Sequence, residues 1–176
     1  LTTNLVARIA GVNMATLYQY FPNKQAVLLA LFERQSAARV ELVERYITGL
    51  ATAADWRRHL RTMVQGIARF RTATRGVVPL RQAMRSSPDL QEHDRAHWRG
   101  LSNKLAEELG RVGLRGEKAA LVARTATEMM ASLLDLWTIE TGGKDAKVLD
   151  QIEDALAGYL GPYLDRRRGK AVARRG

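Results

Sequence analysis

Thr2-Thr3-Asn4-Leu5-Val6-Ala7-Arg8-Ile9-Ala10-Gly11-Val12-Asn13-Met14-Ala15-Thr16-Leu17-Tyr18-Gln19-Tyr20-Phe21-Pro22-Asn23-Lys24 opens the chain and decides how the rest is read. Behind Thr3, whose hydroxyl suits it to cap a first helix, Leu5, Val6, Ile9 and Ala10 recur at helical spacing. Gly11 ends that helix, because glycine takes the left-handed C-cap conformation without a Cβ clash. Val12, apolar within a turn, is expected to plug between the helices. Asn13 is a good N-cap for a second helix, in which Leu17 and Phe21 stand one turn apart and face inward. The pattern predicts two short helices around a tight turn, then a much longer third helix from Asn23.

With Leu17 and Phe21 turned inward, Ala15, Thr16 and Gln19 take the outward arc, flanked by Tyr18 and Tyr20. Small and polar groups on a short helix after a three-residue turn are what a helix-turn-helix presents to the DNA major groove. Packing alone accounts for Ile9, Val12, Leu17 and Phe21 but not for Thr16, Gln19 and the two tyrosines. The residues Thr2-Thr3, Ala7-x-x-Ala10-Gly11-Val12 and Thr16-Leu17-Tyr18-x-Tyr20-Phe21-x-Asn23-Lys24 resemble the DNA-binding domain of TetR-family transcriptional regulators. The motif likeness covers about Thr2 to Leu28; beyond it the likeness is one of helix layout. It implies a further helix, and any basic arm, ahead of Leu1, since a helix-turn-helix needs a third helix to bury its inner face.

The 176 residues suffice for one helical domain or a small domain joined to a larger one. With no cysteine, disulfides and thiolate chemistry are excluded. No apolar run reaches bilayer length and no signal peptide opens the chain, so a soluble, cytoplasmic protein with no membrane partner is expected. The formal net charge of +10 favours a polyanionic partner. Half of that excess, six basic residues against one acidic, sits in the tail from Asp165 to Gly176, which is expected not to fold.

No strand pattern, repeat or low-complexity tract follows; the reading is all-α. The long helix should run from Asn23 to about Thr48, with apolar stripes at both ends and a polar or small middle from Glu33 to Arg39. A helix with that pattern belongs to two packing units. Asp55 or a neighbour opens the next, whose arginines are expected on its outer faces, before Gly76. Val77 to Arg85 is short. Ser87 as N-cap, Pro88 at the first position and Asp89 in the first turn start another helix. Glu117 to Ile139 is the most apolar stretch, wide enough to need a second surface such as a partner subunit. The last helix, about Ala146 to Leu160, is expected to weaken or end at Gly161-Pro162.

Gln19 is the best direct reader of DNA, since its amide can bond an adenine edge in two places, and Ala15 can touch a thymine methyl. By the resemblance, Met14 and Tyr20 also fall at base-contacting positions, and Thr3, Thr16, Tyr18 and Lys24 at phosphate-contacting ones; by the helical wheel Met14 lies near the inward side. Ala15 stands where the family most often has glycine, and Asn13 where it has serine. His93 and His97, with Asp89, share one helical stripe and form a weak metal candidate against a solvated polar face. Glu128 and Asp135, with Arg124, share a stripe of the most apolar helix, facing solvent, a subunit interface or a ligand. No nucleophile, base and orienting group cluster, and no glycine loop cradles phosphate, so an enzyme is not expected and no cofactor is implied.

Met63, Ile67, Phe70, Met84, Trp98, Met129, Leu133 and Trp137 are expected to converge in the body, as plain core or as the adaptable wall of an apolar cavity of the kind in which TetR-like proteins bind inducers. The resemblance further implies a homodimer joined by the last two helices, with Leu121, Met130, Leu134, Ile152, Leu156 and Tyr159 at the interface, on a palindromic double-stranded DNA operator. The expected organisation is a helix-turn-helix domain over 1–32, partial at its N-terminus, a helical regulatory and dimerisation domain over 33–164, and a basic tail over 165–176. The expected function is a repressor released by a small, largely apolar effector; the alternative is a helical small-molecule-binding protein without DNA binding.

Overall fold

Helix boundaries in this chain have local chemical causes, visible in a computed structural model that describes Ala7, residues 13–74 and residues 76–165. Asn13 Oδ1 accepts a hydrogen bond from Thr16 N at 2.7 Å and starts α1 (Met14–Tyr20). Asn23 Oδ1 accepts from Ala26 N at 2.8 Å and starts α2 (Lys24–Ile47). Asp55 does the same for Arg58 N at 3.0 Å, opening α3 (Trp56–Ala73). After α4 (Val77–Ser86), Ser87 makes no side-chain cap, yet Pro88 at the first position supplies a helix-ready φ for α5 (Pro88–Gly110). The chain ends with α6 (Gly116–Thr141), stopped by Gly142 at φ 64°, and α7 (Ala146–Leu164), capped by Asp145. No strand occurs among the described residues.

The last helix corrects one expectation, because α7 passes through Pro162 instead of ending there. A proline inside a helix costs about 3 kcal/mol. Burying Leu160 and Leu164, 1 % and 4 % exposed, offsets this with roughly 1.5–3 kcal/mol each. Asp165, assigned to the tail by sequence, belongs to the fold. Its carboxylate accepts from Trp56 Nε1 at 2.9 Å and from both terminal nitrogens of Arg57, at 3.0 and 2.6 Å. Residues 166–176 of the expected tail lie outside the described residues.

Three apolar clusters stack along α2. Leu17 of α1 packs with Ala7 and Val27; Leu28 and Phe32 pack with Leu80 and Met84 of α4 and Leu90 of α5; the main core unites the lower half of α2 with α3, α5, α6 and α7. α2 runs unbroken across the expected boundary at residues 32 and 33, so head and body share a rigid helix and no linker.

This packing changes two expectations about the body. Met130, Leu134, Ile152 and Leu156, expected at a subunit interface, are at most 5 % exposed within one subunit and face its own core. Leu121 is exposed and Tyr159 partly buried, its ring 6.2 Å from that of Tyr163. Seven of the eight residues expected around an apolar cavity are packed into clusters. Met84 belongs to the middle cluster, Phe70 joins none of the clusters, and the other six sit in or against the main core. The void that Met63 borders is about 20 Å³, room for a single water molecule.

Where the apolar clusters meet, the interior is polar. Arg39 (α2), Arg71 (α3) and Arg81 (α4) are 5 %, 4 % and 2 % exposed. Asp135 of α6 bridges Arg71 and Arg81, taking one guanidinium nitrogen from each. Arg81 lies 4.5 Å from the centroid of the Trp98 ring, Arg39 5.3 Å from it, and Trp98 Nε1 donates to Asp94 at 3.2 Å. Asp135 therefore finds its partners inside the subunit, and Arg71 is not on the outer face expected for the α3 arginines.

His97 completes this layer. Its Nε2 accepts from Arg39 at 2.7 Å, and burial together with Arg39 and Arg81 pulls its pKa down to about 3. That nitrogen is already engaged by Arg39, and no group of three metal-ligating side chains occurs among the described residues, so the structure adds no support to the His93–His97 candidate. In the unfolded chain His97 titrates near 6.5, so below that pH only the unfolded state takes up the proton. Stability should thus fall as pH falls from about 7 to about 5, by roughly 2 kcal/mol from this residue. Urea unfolding of the wild type and His97→Gln, which keeps an acceptor for Arg39, checks this: the variant should lose less stability by that amount.

Candidate nucleic-acid interface

The head presents one side of α1 to solvent because its other side is used. Leu17, 6 % exposed, anchors the helix on Ala7 and Val27, with Met14, Phe21 and Leu31 packed around it. At 100° per residue, burying Leu17 turns Ala15 and Gln19 outward. Both are exposed, as are Tyr18 at 45 %, Tyr20 at 77 % and Lys24. Thr16 is half-buried, with its backbone N–H held by the Asn13 cap. Met14 is also half-buried and packs on the Leu17 cluster, the inward alternative of its two sequence readings. Thr3 lies outside the described residues.

Ala15, Tyr18, Gln19 and Tyr20 come from one helix only seven residues long, and Lys24 begins the next. Such a face offers an amide and one tyrosine toward base edges, a second tyrosine hydroxyl and one ammonium toward phosphates, and a methyl small enough to let the helix approach closely. Nothing in it resembles a catalytic constellation: it has no acid, base or nucleophile in mutual contact.

Sequence reasoning missed how the head is fastened to the body. Gln25 Nε2 donates to Asp89 Oδ2 at 3.0 Å, joining the first turn of α2 to the first turn of α5, one residue from Lys24. Below it, Phe32 meets His97 edge to face at 5.6 Å. Residues 64 positions apart leave no periodic trace of such a pairing. The polar layer did leave one. Arg39 lies on the stripe Leu28, Phe32, Ser36, Val43, Ile47, every member of which is buried.

No helix among the described residues is long and apolar enough to cross a membrane. No individual curated protein matches the chain. Two family profiles do: residues 1–31 match that of bacterial regulatory proteins, tetR family, and residues 55–160 match that of the tetracyclin repressor-like C-terminal domain. The first covers the helix-turn-helix stretch and α1; the second runs from the cap of α3 into the last helix and takes in more than half of the chain. The chain belongs to the TetR family of DNA-binding transcriptional regulators, whose domains are regulatory and not enzymatic.

Proposed function

We propose that this regulator is a cytoplasmic repressor that binds a palindromic operator as a homodimer and is released by a small molecule bound in the helical body. The observation that carries the DNA half is the solvent-facing set Ala15, Tyr18, Gln19, Tyr20 and Lys24 on a helix whose opposite side is locked by Leu17. In this reading Gln19 bonds an adenine edge and Ala15 meets a thymine methyl, with Tyr20 and the half-buried Met14 beside them. Thr16, Tyr18 and Lys24 grip phosphates, together with Thr3.

The dimer contact is assigned to α6 and α7. On α6, Leu121, Leu136 and Ile139 are 63 %, 48 % and 54 % exposed and fall on one helical stripe, and on α7 Val148 is exposed as well. Apolar side chains left in solvent along one stripe favour a second copy of the same surface. These residues take the place of Met130, Leu134, Ile152 and Leu156; Tyr159 stays at the margin. A filled apolar core argues for an effector that enters from a cleft at the surface of the body. By binding one arrangement of the body better than the other, the effector shifts α2 and with it the spacing of the two heads.

The rival reading, a helical small-molecule-binding protein without DNA binding, predicts weak, salt-insensitive retention on duplex DNA. Fluorescence anisotropy on promoter DNA adjoining the gene separates the two. Lys24→Ala should weaken binding and reduce the dependence of log affinity on log salt by about two counterions, one for each subunit of the dimer. Tyr18→Ala should weaken it with little change in that slope. Gln19→Ala should lose roughly 1–3 kcal/mol of discrimination at one base pair. A Tyr18→Ala, Lys24→Ala double variant with undiminished affinity refutes the phosphate contacts. For the dimer, Leu136→Asp with Ile139→Asp should give a folded monomer by light scattering; an intact dimer rejects the α6 stripe.

A further inference from the structure

The polar layer of the body is unbalanced. Arg39, Arg71 and Arg81 face Asp94 and Asp135, three interior cations against two anions, and His97 adds no charge. Arg71 Nε, Arg81 Nε and Arg81 Nη2 are out of contact with water and have no hydrogen-bond partner among the described residues. Glu128, the next carboxylate out, reaches Arg81 Nη2 only at 3.9 Å, and its side chain is 44 % exposed. A guanidinium nitrogen stripped of water and unbonded is a cost that an incoming acceptor can relieve.

A cleft of about 290 Å³ opens between α5 and α6, and two of the residues lining it, Glu128 and Trp98, are the immediate neighbours of Arg81. Trp98, Ser102, Asn103, Ala120 and Glu128 line it, with Arg95, Arg99 and Arg124. Those three arginines outnumber their acidic neighbours Glu92, which holds Arg95 and Arg99, and Glu128. Trp98 is at once a wall of the cleft and the ring on which Arg81 rests. Glu128 therefore stands both in the cleft wall and against a buried, unsatisfied donor.

We propose that this cleft binds a small organic carboxylate, which displaces Glu128 and accepts from Arg81 Nη2 while the rest of the molecule lies against Trp98, Ser102 and Asn103. The proposal rests on the effector reading above and narrows its chemistry to an acid. Arg81 is well placed to relay occupancy. Through Asp135 it is tied to Arg71, and through the Trp98 ring it neighbours Arg39 of α2. Leu80 and Met84 of its own helix pack on Leu28 and Phe32, close under the head.

Calorimetric titration of the full chain with benzoate, 1-naphthoate and octanoate, each against its neutral primary amide, tests the site. At least one acid should bind roughly tenfold or more tightly than its amide, as a charge-assisted bond to a guanidinium requires. Glu128→Gln, a half-exposed position whose change should not unfold the chain, should tighten that acid several-fold by removing its competitor. Arg81→Lys, verified as folded by circular dichroism, should weaken it about tenfold because the planar fork is lost. Acids and amides that bind alike, or fail to bind, across the panel overturn the proposal, as does a Glu128→Gln protein with unchanged acid affinity. Operator binding is measured separately with and without the acid. Acid binding that leaves the operator complex intact upholds the site and refutes the effector reading. Operator binding with no preference for acids refutes the site alone.

Discussion

One carboxylate, Asp135, holds two buried guanidiniums, and much of the body's arrangement follows from that. Arg71 arrives on α3, Arg81 on α4 and Asp135 on α6, so the bridge fixes three helices at one depth. Buried ion pairs contribute little net stability, since desolvation nearly cancels their attraction; their weight lies in what happens when one member is missing. With Asp135 gone, two cations would remain in an apolar setting. Alternative packings of α4, a helix of only ten residues, therefore carry a penalty that apolar contacts alone would not impose.

The layer also divides the interior. Above it lies the cluster of Leu28, Phe32, Leu80, Met84 and Leu90; below it lies the main core. Arg39 is drawn into the layer from α2, where burial and the other two arginines lower its pKa to about 10, leaving it charged at neutral pH. It is held by His97 and Ser36 and by the faces of Phe32 and Trp98. The helix that carries the DNA-binding head thus has one of its own charges built into the body. The two are joined by one continuous helix, with no break between Lys24 and Ile47.

The head depends on the same helix in a simpler way. Seven residues are too few for a helix to persist alone in water. α1 is kept by the Asn13 cap and by Leu17 seated on Val27 of α2. Its exposed side is consequently free of structural duty, so its side chains can be chosen for a partner.

The sequence by itself determined the family, the all-α class and the starts of α1, α2, α3 and α5. Asn13, Asn23, Asp55 and Pro88 act within three or four residues of where they stand, and the motif from Thr16 to Lys24 lies in one short stretch. It also determined which side of α1 faces out, because a single buried leucine on a regular helix orients all its neighbours. Tertiary structure decided which face of a broadly apolar helix is inside. α6 is apolar around most of its circumference, so Met130 and Leu134 could not be told from Leu136 and Ile139 until α3, α5 and α7 were in place. It decided likewise that α7 continues through Pro162, since only docking on the core offsets the lost backbone bond. Above all it decided the fate of the arginines. A guanidinium is soluble almost anywhere on a surface, and only the convergence of Arg71, Arg81 and Asp135 from positions far apart in the chain makes the interior a better place for it.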